Sequence, residues 1–250
     1  MDVTAVKAIV KDAPHMSLAK ARTITSFLRE HELHDLLELG FRFGVSTTYL
    51  AGAVQDLGRG HVTAIDLEGV RDGELNIEEF LTRAGLRDLV TAYFEPTSYT
   101  WRLMRMLEED PTPRFDFCYL DGAHDWFVDG FAFFLVDRLL RPGGWIVFDD
   151  LNWTFAGSPT LSRSERVRAM PEDERTTPQV RKVYELLVKT HPGYGGFRIV
   201  DDWAYAQKLE TPATGGTREV VREVVVQRER YGLGAVAVTA AKRAKRRLVR

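Results

Sequence analysis

Residues 35–46 read DLLELGFRFGVS, and the fold turns on this stretch. The leucine-rich run 35–39 predicts a short buried strand. Gly40 and Gly44 interrupt it, and residues 47–55 continue with a helical pattern. Glycines directly after a strand let the backbone turn tightly and let a ligand approach the main chain. The helix that follows opens on backbone N–H groups with no partner inside the helix. Strand, glycine turn and helix make the first unit of a doubly wound sheet, whose ligands gather at the carboxyl ends of the strands.

The same alternation repeats on the C-terminal side. Residues 61–66 (HVTAID), 90–94 (VTAYF), 115–121 (FDFCYLD) and 145–149 (WIVFD) read as further strands, short, apolar and bounded by Gly, Pro or Asp. Helix-length segments 47–55, 76–84, 99–109 and 126–140 separate them, which predicts an α/β, doubly wound, mostly parallel sheet. A helical segment around 17–31 precedes the sheet, with Pro14 before it. Residues 1–33 are therefore expected to form N-terminal helices on the substrate side of a domain spanning 34–210. Past Asp150 the pattern breaks. Residues 157–178 are polar and Pro-containing and read as a lid loop. Residues 179–190 read as an amphipathic helix. Residues 197–200 and 203–207 read as a closing C-terminal β-hairpin, which brings the sheet to seven strands. Residues 211–250 are expected to be a helical basic tail ending in AKRAKRRLVR.

Composition narrows the classes. With 44% hydrophobic and 28% charged residues in 250, the chain can bury a core and is not a disordered polymer. A net charge of −2 speaks against a nucleic-acid binder. Cys118 is the one cysteine, so an intramolecular disulfide and a Cys-rich zinc site are excluded. No apolar stretch reaches membrane-spanning length, and the first residues carry charges throughout, so a cytoplasmic protein is expected.

Chemistry-bearing residues cluster where the strands end. The loop spacing is G-x-x-x-G, not the G-x-G-x-x-G of dinucleotide sites. Glu38 stands just before it, where a carboxylate repels a pyrophosphate but suits a ligand ammonium. Asp66 ends the second strand, placed to accept the hydroxyls of a ribose. An ammonium and a ribose without phosphate describe S-adenosylmethionine; the plain alternative is a turn whose glycines only save space. The fourth strand ends in Asp121-Gly-Ala-His124, and the fifth in Asp149-Asp150 after Arg141-Pro-Gly-Gly144. Three carboxylates at one sheet edge call for a hard cation such as Mg²⁺ between them. Neighbouring residues of a strand face opposite ways, so Asp149 and Asp150 serve together only if the chain turns there. His124 is a candidate proton acceptor. His15, His31, His34, His61 and His191 lack such company and read as structural or exposed.

Taken together, E-L-G-x-x-x-G-x-S over 38–46, Asp66, Asp121-x-x-His124 and RPGGWIVFDD over 141–150 resemble the class I S-adenosylmethionine-dependent O-methyltransferases. Within them, the pattern is similar to the metal-dependent group of catechol, macrocin and macrolide-sugar O-methyltransferases, over about residues 34–152. The resemblance implies a Rossmann-like methyltransferase fold. It places Glu38, Gly40, Gly44 and Ser46 around the methionine part of the cofactor, Asp66 at the ribose and Ser98 by the adenine. It places Asp121, which also reaches the cofactor, with Asp149 and Asp150 on Mg²⁺, and makes His124 the base. Catechol enzymes carry lysine at that point and some sugar enzymes histidine, which points to a sugar or glycosylated natural product as the small-molecule acceptor. Arg42 stands where many methyltransferases have a middle glycine, as in the catechol branch. Trp126, Trp153 and Phe155 are candidate aromatic walls for the acceptor or, equally, core. The rivals are a catechol-like aromatic diol as acceptor, a nicotinamide oxidoreductase, and a non-catalytic cofactor-binding protein acting through the basic tail. The N-terminal helices or the Val-rich segment 219–227 could make a homo-oligomer contact.

Overall fold

Five parallel strands carry the sheet in the computed structural model: β1 (Asp35–Leu39), β2 (His61–Leu67), β3 (Val90–Glu95), β4 (Phe115–Leu120) and β5 (Leu140–Phe148). Residues 1–14, 16–73 and 75–210 are described, together with the backbone of Val224–Val226. A hairpin of β6 (Tyr194–Val200) and β7 (Trp203–Lys208) closes the sheet, with β7 antiparallel to β5. The order is β3-β2-β1-β4-β5-β7-β6, and a three-residue β8 (Val224–Val226) adds to the edge, parallel to β6. The seven expected strands are all present. The eighth lies in the segment expected to be a helical tail, whose remaining residues, including most of 219–227 and the basic run, lie outside the described residues. Because β1 sits between β2 and β4, the chain reverses its winding there, and a crevice opens at the carboxyl ends of β1 and β4.

Alternation along the strands builds two cores. Phe117, Tyr119 and Val147 face a layer made of α1 (Val3–Ile9), α2 (Leu18–Glu30), α3 (Val45–Leu57) and α4 (Ile77–Ala84). Cys118, Leu120, Ile146 and Phe148 face α5 (Tyr99–Glu109), α6 (Trp126–Leu139) and α9 (Gln179–Val183). The N-terminal helices bury Val6, Ile24, Phe27 and Leu28 in the first of these cores. Phe27 meets Trp145 and Tyr205 edge-on at 5.2 Å each, which fixes α2 across β5 and β7. None of the described helices is long and apolar enough to cross a membrane.

The segment 157–178 is more ordered than a loop. It holds α7 (Glu165–Ala169), capped by Ser164, and α8 (Glu172–Thr176), which starts after Pro171 with three acids in its first turn. The helix expected over 179–190 shortens to α9, followed by a π-type turn over Tyr184–Val188. At the opposite end of the sheet, Arg141 Nη1 donates to Asp35 (2.8 Å) and Asp116 (2.5 Å), and Asp116 also takes the His34 ring. Arg141 thereby ties β1, β4 and β5 together and places its positive charge on the His34/Asp35/Asp116 cluster, the one such group outside the active edge among the described residues.

Candidate active site

A cavity of about 990 Å³ opens at the carboxyl ends of the strands. Its wall includes Gly40, Ser46, Asp66, Ser98, Asp121, His124, Asp149 and Asp150, so eight residues singled out from the sequence meet in one place. Glu38 and Gly44 lie behind the wall.

The glycine loop has its shape for steric reasons. Gly40 sits at φ +85°, and a Cβ there would fall 2.2 Å from the Asp121 carbonyl oxygen. Gly44, at φ +84°, begins α3 with the Ile77 side chain 2.6 Å from where its Cβ would be. Arg42 takes the left-handed conformation at φ 48° in spite of its side chain. Asp66 explains how, since its Oδ2 accepts the N–H groups of Phe41 (2.8 Å) and Arg42 (2.6 Å). Asp66 therefore anchors the loop, a role the sequence did not disclose. A carboxylate oxygen accepts more than one hydrogen bond, so it retains capacity for a ligand hydroxyl.

Glu38 is fully buried. Thr47 Oγ1 donates to its Oε2 at 2.5 Å, while Oε1 has no hydrogen-bond partner. Burial pushes its pKa up to about 8 against the opposing pull of the Ser46 and Thr47 hydroxyls. Ser98 caps α5, its hydroxyl accepting the Thr100 N–H at 3.1 Å, at the rim of the cavity.

The acidic residues meet around His124. Its Nε2 lies 3.1 Å from Asp150 Oδ2 and 3.5 Å from Asp121 Oδ1. Burial works to lower the His124 pKa, but its hydrogen bonds to Asp121 and Asp150 outweigh this and the net shift is upward. Burial, and then the charge of Asp149, raise the pKa of Asp121. Asp150 is left-handed at φ 52°, and this turn at the strand end swings it round beside Asp149. Asp149 is buried and accepts from Lys20 Nζ (2.7 Å), the Tyr119 hydroxyl and the Asp150 N–H (2.6 Å). Metal-ligating atoms of Asp121, His124 and Asp150 lie within 4.8 Å of one another, as do those of Asp149, Asp150 and Asp202. The three carboxylates expected from the sequence thus divide between two clusters that share Asp150. Asp202 and Lys20 join them with no motif to signal it: Asp202 lies in the turn between β6 and β7, and Lys20 on α2, far away in sequence.

Of the three candidate aromatic walls, Trp153 lines the cavity and lies 4.8 Å from the His124 ring, centroid to centroid. Phe155 is buried behind Trp153, and Trp126 packs against the α5/α6/α9 core. Residues 158–161 of the lid segment, Met16 and Lys20 complete that side. The remaining described histidines are structural: His31 stacks on Phe27 and Trp145, His61 bonds Thr91, and His191 packs on Tyr194. His15 lies outside the described residues.

Residues 37–151 match the family described as a methyltransferase domain. Solved structures share the fold. TomG, an O-methyltransferase from Streptomyces achromogenes in complex with S-adenosylmethionine, is 19% identical with a TM-score of 0.58, over 83% of this chain and 89% of that one. An O-methyltransferase from Bacillus cereus in complex with S-adenosylhomocysteine is 20% identical with a TM-score of 0.58, over 83% and 92%. PaMTH1, a methyltransferase from Podospora anserina bound to S-adenosylhomocysteine, is 17% identical with a TM-score of 0.60, over 82% and 87%. No curated protein matches the chain. The matched span holds the glycine loop, Asp66 and the cluster around His124.

Proposed function

We propose that this protein is a methyltransferase that moves the methyl group of S-adenosylmethionine onto a hydroxyl oxygen of a small molecule, a sugar or glycosylated natural product, with a hard divalent cation in attendance. One observation carries the reading: the glycine loop held by Asp66 and the carboxylate cluster around His124 open into the same cavity. Glu38 places a buried carboxyl with an unmatched oxygen beneath the loop, and a cationic cofactor beside it would favour its ionised form over the protonated one that burial holds.

The donor set fits a hard cation. It offers carboxylate oxygens and one imidazole, and positive charge would offset both the burial and the neighbouring Asp149 charge that raise the Asp121 pKa. Asp121 and Asp150, with Asp149 or Asp202, are the residues that would hold Mg²⁺. When bound, the ion would polarise the acceptor oxygens and make a hydroxyl easier to deprotonate. Everything else falls to the chain. Once Asp121 and Asp150 act as ligands, His124 loses the charge that fixes its own proton, and its Nε2 becomes free to take one from the acceptor hydroxyl. Gly40, Ser46 and Asp66 orient the cofactor. Trp153 and residues 158–161 wall off the acceptor side and exclude water. Holding oxygen and methyl in line contributes much of the rate.

A catecholic diol is the second reading. Trp153, beside His124, offers a flat face that suits an aromatic ring as well as the apolar face of a sugar. The experiment is transfer of isotopically labelled methyl from S-adenosylmethionine to a panel of vicinal-diol glycosides and catechols, with Mg²⁺ and with EDTA. Label in glycosides only with Mg²⁺ supports the first reading, and label in catechols alone supports the second. Transfer that is indifferent to EDTA contradicts the metal assignment.

A further inference from the structure

Two buried side chains of the second core remain outside this chemistry. Asp129, on the first turn of α6, is 0% exposed, and its Oδ2 has no hydrogen-bond partner. Its Oδ1 accepts the hydroxyl of Tyr99, the first residue of α5. A carboxylate buried in an apolar layer is costly, and a helix in this position would pack as well with an apolar residue there. The pair therefore calls for an explanation beyond packing.

The explanation lies on the other side of Tyr99. Its hydroxyl also accepts the N–H of Ala123 at 3.2 Å, and its ring lies 2.5 Å from where a Cβ on Gly122 would stand. Gly122 and Ala123 are the two residues between Asp121 and His124. His124 itself is left-handed at φ 57°, a conformation that persists in a non-glycine residue only where the surroundings impose it. Gly122 is required because any side chain would push the ring away, and the ring and hydroxyl together hold the turn. Burial raises the pKa of Asp129 to about 6, against the opposing pull of the Tyr99 hydroxyl, the His124 charge and, least, the Ala123 amide.

We infer that Tyr99 and Asp129 form a buried positioning pair that sets the 121–124 turn and with it the place of the His124 imidazole between Asp121 and Asp150. Neither residue touches a reacting atom. Asp129 fixes the direction of the Tyr99 hydroxyl, and Tyr99 fixes Ala123. The significance of the pair for turnover rests on the reading of His124 as base, but the geometry is testable without any acceptor.

The test uses full-length protein with ¹⁵N-labelled histidine, the His124 imidazole resonances being assigned through His124→Asn, together with amide exchange at Ala123. Tyr99→Phe and Asp129→Leu are each expected to shift the His124 imidazole resonances and speed Ala123 exchange at least tenfold. Asp129→Asn still offers Tyr99 an acceptor oxygen and is expected to keep wild-type resonances and exchange within twofold. Unchanged His124 signals and Ala123 exchange in Tyr99→Phe and Asp129→Leu overturn the inference, as does an Asp129→Asn indistinguishable from Asp129→Leu. If Tyr99→Phe does not fold, the Asn and Leu variants of Asp129 decide it. If Asp129→Leu does not fold, Tyr99→Phe does. With an acceptor in hand, Tyr99→Phe should lower kcat about tenfold at unchanged KM, as for a displaced general base. Failure of S-adenosylhomocysteine to bind wild-type protein would strike the methyltransferase reading alone and leave the positioning pair standing.

Discussion

Lys20 Nζ lies 2.7 Å from Asp149 Oδ1, so the helix ahead of the sheet reaches a carboxylate at the active edge. Asp149 is buried and Lys20 about two-thirds so, and the ammonium also sits 5.4 Å from the Trp203 ring. Lysine here occupies an oxygen that a metal would use. Lys20→Met should therefore tighten Mn²⁺ binding by about three- to tenfold, the order expected from removing one partly screened charge at contact distance. Calorimetric titration of Mn²⁺ into both proteins measures it. Equal affinities would separate Lys20 from the cation site.

Glu38 should leave a mark on stability. Its pKa in the folded protein is about 8 against an ordinary 4.5, because burial disfavours the ionised form. Between those values the folded chain keeps a proton that the unfolded chain releases. The stability from this group is thus full below about pH 4.5 and is lost as pH rises through 8. Glu38→Gln cannot release that proton. Its melting temperature should fall less than that of wild type between pH 5 and pH 8, and parallel curves would contradict the buried protonated carboxyl.

Gly40 admits no side chain. Gly40→Ala incurs about 1–3 kcal/mol for the positive φ alone, before the contact with the Asp121 carbonyl is counted. For a chain of this size, that lowers the melting temperature by at least about 2–4 °C. The variant should also bind S-adenosylhomocysteine more weakly, since the loop must move off the β4 turn. A melting temperature within 1 °C of wild type, a margin set by the same scaling, would show that the turn is looser than described.

His124→Ala separates binding from chemistry. On the proposed reading the side chain serves the acceptor and not the cofactor, so S-adenosylhomocysteine affinity should hold while methyl transfer falls by about 10²–10⁴, the usual loss for a general base. Turnover at the wild-type rate would remove His124 from the reaction.

Much of this architecture was legible because it depends on short-range signals. The leucine run at 35–39 and the glycines at 40 and 44 specify a strand and a tight turn without help from the rest of the chain. Asp121, His124, Asp149 and Asp150 could be placed together because parallel strands end on one edge. The left-handed turn at Asp150 was the condition for the aspartate pair to act together, and no local residue preference announces it. Lys20 and Asp202 escaped notice because each reaches the site from an element whose packing is fixed by long-range contacts. Tyr99 and Asp129 escaped for a similar reason: a tyrosine at a helix start and an aspartate in a first turn are ordinary until burial brings them together. The helices within 157–178 were hidden by their length, five residues each, too short for a periodic pattern.

Asp66 anchors the glycine loop and, on the proposed reading, also meets the cofactor, so its removal offers a graded check on that site. Asp66→Ala loses the charge-assisted bonds to Phe41 and Arg42 and any to the ligand, at about 1.5–3 kcal/mol each. Its affinity for S-adenosylhomocysteine should drop by at least about tenfold.

The cofactor site itself is tested by calorimetric titration of S-adenosylhomocysteine into the wild-type protein, with Mg²⁺ and then with EDTA. Saturable one-to-one binding in both solutions is the predicted result, because the glycine loop, Asp66 and Ser98 need no metal to form their half of the cavity. Absence of binding in both would contradict the account at its centre.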